Sequence, residues 1–421
     1  MTLKSQISGS VVKLALGQER SVRRTLSRRK GIDVALQVED AHGFLLVQLL
    51  GDLLREMPDE EVRVLVIPPP EADTDPEPEL RLSWNLKDAH LVAQHRGLEG
   101  PSITAPPPAE VIEKAQRILL VDRPGKAQID LACEVLRRVW NDDREGLEQL
   151  ARQYGELPTS ELRGQLSSNW EQLKRLGHYQ GSMVRHRGEW FWGTDRFEML
   201  ERSLGQDRSR VGWSENFEVP PIVGEDGRVR LEFYYSFRSP YSYLVLKPLR
   251  RMLRRRSKVD LVIRPVLPMV MRGLPVPLSK RLYILADCHR LAVELGTPFG
   301  KAFDPKGEGV ERCLAIFVAA DAQGLGDVWL EEAATAIWTE ARNMTRDEEL
   351  RPVVERAGLS WERAQQAMAD EASWRQMATD NRTALFDAGL WGVPSLVVGG
   401  YAMWGQDRIP ILTRILDAAG V

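Results

Sequence analysis

Cysteine is scarce in this chain. Of 421 residues only Cys133, Cys288 and Cys313 are cysteines, and no two stand in a C-x-x-C pair. That argues against a disulfide framework, a cysteine zinc cage and a C-x-x-C redox centre, and it fits a reducing, cytoplasmic compartment. Histidine is scarce too. His42, His90, His95, His178 and His186 lie in the first half, and His289 stands alone in the second, so a multi-histidine metal site there is excluded and no metal is expected. No apolar run approaches the ~20 residues a membrane helix needs, and the N-terminus lacks the apolar core and small-residue cleavage site of a secretory signal. A formal net charge of −3 gives no whole-chain case for nucleic acid. The expected partner is a small molecule, with neither a membrane nor a nucleic acid.

What is present is a length that suits two domains of roughly 200 residues each. The segment 178–200, HYQGSMVRHRGEWFWGTDRFEML, matches 390–412, LWGVPSLVVGGYAMWGQDRIPIL, at a shift of 212. Trp192-Gly193-x-Asp195-Arg196 then falls on Trp404-Gly405-x-Asp407-Arg408, and Asn169 on Asn381. Nearer the start of each half the shift is 199, which sets Asp88-x-His90 on Asp287-x-His289 and Asp40-Ala41 on Ser239-Pro240. The halves read as two versions of one domain. A strand (32–38; 231–237) leads into a helix (44–54; 243–253) and a second strand (62–67; 259–264). A long helical region follows, then two short strands and a closing helix. That order predicts an α/β chain of two tandem thioredoxin-like domains, each with a large helical insertion, its first two strands parallel neighbours. The expected boundaries are a basic arm over 1–30, domains over 31–205 and 229–421, and a polar linker over 206–228 holding Pro220-Pro221. The arm carries eight Lys or Arg against one acid, Glu19. It reads as a solvated arm packed on its domain or a neighbour, as a transit segment, or as an anionic-surface arm.

Ser239-Pro240-Tyr241-Ser242-Tyr243 closes a strand and opens a helix. Serine is a good N-cap and proline is pre-organised at the first helical position, so this string can be structural. The same geometry offers free N–H groups and a positive dipole end to an anion such as a thiolate. Asp407 likewise reads as a cap of the final helix or as a ligand contact, and the two are compatible. Asp195-Arg196-Phe197-Glu198 has capping-box spacing. Trp192 and Trp404 read as core.

FYYSFRSPYSYL at 233–244, with GVPSLVVGGYAMWGQDRI at 392–409, resembles the 2-hydroxychromene-2-carboxylate isomerases and kappa-class glutathione transferases, DsbA-like proteins with a thioredoxin fold. The resemblance covers most of 229–421. It implies glutathione as cofactor, with Ser239 rather than Ser242 at the sulfur. Val393 would meet the tripeptide through its backbone before a cis Pro394, and Gln406 and Asp407 would hold the γ-glutamyl end. Tyr241, Lys280, Tyr283 and Asp287 would line the electrophile pocket. The chain departs from the family at 303–309, FDPKGEG, where relatives carry a proline-rich turn with a small polar residue at glutathione. In the first half Asp40-Ala41 and Gly181-Ser182 stand in place of Ser239-Pro240 and Val393-Pro394, so that copy reads as degenerate. Related proteins form dimers, so the fused halves are expected to make an intramolecular pseudo-dimer, with a homodimer as a further possibility. The expected function is a glutathione-dependent isomerase or transferase acting on a conjugated, aromatic-derived electrophile. The alternatives are a DsbA-family thiol–disulfide oxidoreductase-like protein and a non-catalytic thioredoxin-fold scaffold.

Overall fold

The computed structural model describes residues 31–57, 60–206, 209, 212–219 and 221–421. The basic arm expected over 1–30 lies outside the described residues. The chain divides into two units, one comprising Arg20–Glu218 with Pro277–Lys280, the other Val219–Val276 and Arg281–Val421 besides an N-terminal stretch.

In the N-terminal unit, β1 (Ile32–Leu36) is buried along its whole length, its one charged residue, Asp33, pairing with Arg63 and Arg185. It pairs in parallel with β2 (Val62–Val66), Val34 opposite Val64. On its other side it pairs antiparallel with β3 (Met183–His186), which pairs with β4 (Glu189–Trp192). Helix α1 (Ala41–Glu56) makes the crossover, burying Leu46, Leu49, Leu50 and Leu53 against Ile32, Val34 and Val184. The helical region between β2 and β3 resolves into α2 (Pro78–Arg96), α3 (Ala109–Leu119), α4 (Gly125–Trp140), α5 (Arg144–Tyr154) and α6 (Thr159–Arg175), and α7 (Phe197–Ser203) closes the unit.

The C-terminal unit repeats this order. Its sheet runs β6-β5-β7-β8, where the first runs β2-β1-β3-β4. β5 (Val229–Tyr235) and β6 (Val259–Pro265) are parallel; β7 (Ser395–Val398) and β8 (Tyr401–Trp404) are antiparallel to their neighbours. Helix α8 (Pro240–Leu253) makes the crossover. The insertion holds α9 (Leu278–Glu294), α10 (Glu308–Asp321), α11 (Gly326–Trp338), α12 (Asp347–Arg356), α13 (Trp361–Ala369) and α14 (Glu371–Asp387), and α15 (Ile409–Ala418) ends the chain. One internal bond recurs at the matched positions. Asn169 Nδ2 donates to Val66 O at 2.8 Å, and Asn381 Nδ2 to Pro265 O at 2.9 Å, each tying the last insertion helix to the second strand.

Within 206–228, Ser214 N donates to His95 O at 2.9 Å and the Arg96 guanidinium lies 3.6 Å from the Trp213 ring, and the two units part between Glu218 and Val219. One expectation is revised. The closing helices do not take an aspartate cap. A 3₁₀ turn precedes each one, Thr194–Arg196 and Gln406–Arg408, so Asp195 and Asp407 sit inside a turn instead of ahead of the helix. Neither α7 nor α15 has a side-chain cap bond.

Candidate active site

Ser239 is the N-cap of α8, extended at φ −94° and ψ 114°, with Pro240 at the first helical position. Its Oγ accepts from Ser242 N at 3.1 Å and donates to Val393 O at 3.5 Å. The second contact is long, so the hydroxyl proton is loosely held. The Val393–Pro394 bond is cis, and Pro394 O accepts from Gly405 N at 2.8 Å, which carries the turn holding Gln406 and Asp407 to the same edge of the sheet. There Gln406 Nε2 donates to Asp407 Oδ2 at 2.7 Å. Ser242 is fully buried, its Oγ accepting from Ser236 N at 3.4 Å, which leaves Ser239 as the half-buried serine of the pair.

Tyr241, one residue past the proline, donates from its hydroxyl to Asp287 Oδ2 at 2.8 Å, and Arg290 Nη2 donates to Oδ1 of the same carboxylate at 2.9 Å. Asp287 is completely buried and Tyr283, one helical turn before it, is nearly so. Trp404 packs 4.6 Å from Trp391. Gly392 admits it, because a β-carbon there would stand 2.6 Å from the indole. None of the three cysteines occupies this helix start in the sequence. Burial pushes the Cys133 thiol up to about 12 and raises Cys313 as well, and Cys288 is buried within α9. Among the described residues no cluster of His, Cys, Asp or Glu suits a metal ion, and no helix is long and apolar enough to cross a membrane.

Residues 230–417 match the family model described as the DSBA-like thioredoxin domain. The C-terminal half is a DSBA-like thioredoxin domain. A 2-hydroxychromene-2-carboxylate isomerase of Pseudomonas putida is 25% identical over 195 residues, which span 43% of this chain and 91% of that protein, and the chain is its distant homologue. Among solved structures, a 2-hydroxychromene-2-carboxylate isomerase aligns at 21% identity and a TM-score of 0.39, over 45% of this chain and 95% of its own. The cytosolic disulfide reductase DsbM from Pseudomonas aeruginosa with GSH aligns at 20% identity and a TM-score of 0.35, over 45% and 96%.

Of the residues expected in the site of the DSBA-like domain, the structure gathers Ser239, Val393 and Pro394 at one helix start. It links Gln406 and Asp407 to them through Gly405, and joins Tyr241 to Asp287. Lys280 is engaged elsewhere. It groups with the N-terminal unit, where its Nζ donates to Thr74 O at 2.8 Å. Burial holds that ammonium below the usual lysine range, with Asp75 and Asp73 acting in the opposite direction.

The corresponding position of the N-terminal unit is filled. Asp40 caps α1 and accepts from His42 N (3.1 Å), Asn85 Nδ2 (3.1 Å) and Ser182 Oγ (2.7 Å). Three donors therefore converge on a carboxylate belonging to the chain itself. His42 Nε2 lies 3.0 Å from Asp88 Oδ2, the pair that the 199-residue shift sets on Tyr241 and Asp287. Sequence reasoning noted the loss of serine and proline here but missed the replacement contacts. Asp40→Ala removes the cap and leaves Asn85 and Ser182 without their acceptor. It is expected to destabilise the protein by ~2 kcal/mol, read from urea unfolding; a change below a few tenths would show that the three bonds are dispensable.

Proposed function

We propose that the protein is a glutathione-dependent isomerase or transferase with one active site, at Ser239 in the C-terminal half, and that it acts on a conjugated, aromatic-derived electrophile. The observation that carries this is the half-buried Ser239 hydroxyl at the N-terminal end of α8, its proton loosely held by the Val393 carbonyl. The positive end of the helix dipole favours an anion there, and a hydroxyl donor strengthens that preference without being the nucleophile. The P. putida relative, by its name, acts on a 2-hydroxychromene-2-carboxylate, which supports the electrophile class.

In this reading glutathione binds with its backbone along Val393–Pro394 and its γ-glutamyl end at Gln406 and Asp407, and its thiol proton leaves to solvent. The thiolate adds to the conjugated carbon. A C–S bond forms, the displaced π pair moves to the carbonyl oxygen as an enolate, and the former double bond rotates. Collapse of the enolate expels the thiolate and restores the C=C bond, so glutathione is regenerated. Protonation of the enolate instead leaves a conjugate. Tyr241, oriented by Asp287 and Arg290, faces the electrophile in this scheme. We read the N-terminal half as a degenerate copy of the same domain, closed at the equivalent point by Asp40, that supplies a pseudo-dimer contact within one chain.

The oxidoreductase reading places a cysteine at the start of the helix, and this chain has Ser239 there. Calorimetry with glutathione tests the proposal. One tripeptide per chain is expected at sub-millimolar to millimolar concentration, and no heat at several millimolar would leave the scaffold reading standing.

A further inference from the structure

The loop after α9 runs back along α8 and is fastened to it at three levels. Lys247 Nζ donates to the carbonyls of Leu295 (3.3 Å) and Gly296 (2.9 Å), and the Tyr243 hydroxyl donates to Pro298 O (2.8 Å). At the helix start Arg238 grips Asp304, with Nε to Oδ1 at 2.6 Å and Nη2 to Oδ2 at 2.7 Å. The fastenings climb from the second turn of α8 to the residue before its cap. The last of them therefore stands beside Ser239.

This last pair differs from an ordinary surface ion pair. Two parallel N–H···O bonds form a fork-on-fork arrangement, the geometry in which a guanidinium receives a free carboxylate. The two partners are also unequally placed. The Arg238 side chain is 20% exposed, set in the turn between β5 and α8, whereas the Asp304 carboxylate is 56% exposed on its loop, where it also accepts from Lys306 N at 3.2 Å. The socket is the more enclosed partner and its occupant faces solvent. Solvent at the 56% exposed Asp304 screens the pair and holds even this geometry to about 1 kcal/mol, so a ligand bound by other contacts as well can displace Asp304.

We propose that Arg238 is a specificity residue that receives a carboxylate of the molecule bound at Ser239, and that Asp304 is an internal carboxylate holding the socket until it is displaced. This rests on the reading of Ser239 as the binding site. It narrows the ligand class to molecules that carry a carboxylate, which can belong to the thiol peptide or to the electrophile.

Two matched pairs of probes decide between these sources: glutathione with its dimethyl ester, and salicylate with salicylamide. Each is titrated into the full chain by calorimetry for wild type, Asp304→Ala, Arg238→Ala and Arg238→Lys. Thermal melting checks that each variant folds, and Arg238→Lys keeps the charge if Arg238→Ala does not fold. Asp304→Ala is expected to bind the acid of the relevant pair about fivefold more tightly, the ~1 kcal/mol of an exposed pair, with the neutral analogue unchanged. Arg238→Ala is expected to bring acid and neutral analogue to equal affinity, and Arg238→Lys to fall between. A preference confined to the glutathione pair assigns the carboxylate to the tripeptide; one confined to the salicylate pair assigns it to the electrophile. Acid-to-neutral ratios unchanged by either substitution overturn the proposal and make the pair a structural clasp. So does the absence of any acid binding to wild type and Asp304→Ala at tens of millimolar. Failure of glutathione alone removes the cofactor reading while the salicylate pair still decides the role of Arg238.

Discussion

Ser239→Ala is expected to raise the pH at which bound glutathione ionises by about one to two pH units, while leaving its affinity within about tenfold of wild type. The hydroxyl contributes one charge-assisted hydrogen bond to a sulfur anion, worth ~1.5–3 kcal/mol, and 1.36 kcal/mol corresponds to one pH unit. The dipole of α8 and the backbone of Val393 remain in the variant, so most of the contacts proposed for the tripeptide survive. The loss of Ser239 as a cap costs stability as well, by ~1 kcal/mol, so a melting curve accompanies the titration. The readout is thiolate absorbance near 240 nm, followed against pH at saturating glutathione. Wild type should show thiolate below the pH at which free glutathione ionises, and Ser239→Ala should lose most of that difference. Identical titrations for the two proteins would show that the helix start works through its backbone and dipole alone, with the serine serving only as a cap.

Much of this fold was legible because its signals are local. Short β-branched runs such as 62–66 and 259–264 mark strands, and the two shifts of 212 and 199 align segments of the two halves. The resulting sheet orders agree, and Asn169 and Asn381, paired by shift alone, make the same bond. Ser239 stood out because proline after a candidate cap marks a helix start. What escaped was set by tertiary contact. Arg238 and Asp304 are 66 residues apart in loops, where no periodicity reports which side chains meet. Lys280 shares a helix with Tyr283 and Asp287, but helical spacing shows which residues share a face and not what packs against it. The capping reading of Asp195 and Asp407 failed because a 3₁₀ turn is indistinguishable in sequence from the first turn of the helix that follows. Asp40 looked like a loss because the sequence shows the substitution and hides the three donors around it.

The second large effect concerns Glu39, which precedes Asp40. Its Oε2 is shut off from solvent without a hydrogen-bond partner. Burial raises its carboxyl from near 4.5 to about 7, with Asp40 adding to the rise and Arg81 opposing it. The folded state therefore holds a proton that the unfolded chain releases. Between about pH 4.5 and 7 stability falls as pH rises, and above 7 the loss is complete, at ~3 kcal/mol for a group of this kind. His186 works in the opposite sense. Burial lowers its imidazole to about 4, so its contribution rises with pH up to about 6.5 and partly masks Glu39 in the wild-type profile. The difference between Glu39→Gln and wild type removes that overlap. Glu39→Gln keeps the shape of the side chain and deletes its charge. Its unfolding free energy in urea is expected to exceed that of wild type by ~3 kcal/mol more at pH 8 than at pH 4. A difference that stays flat across this range would mean that the carboxyl reaches water or a compensating cation when it ionises, and that the loop ahead of α1 opens to let it.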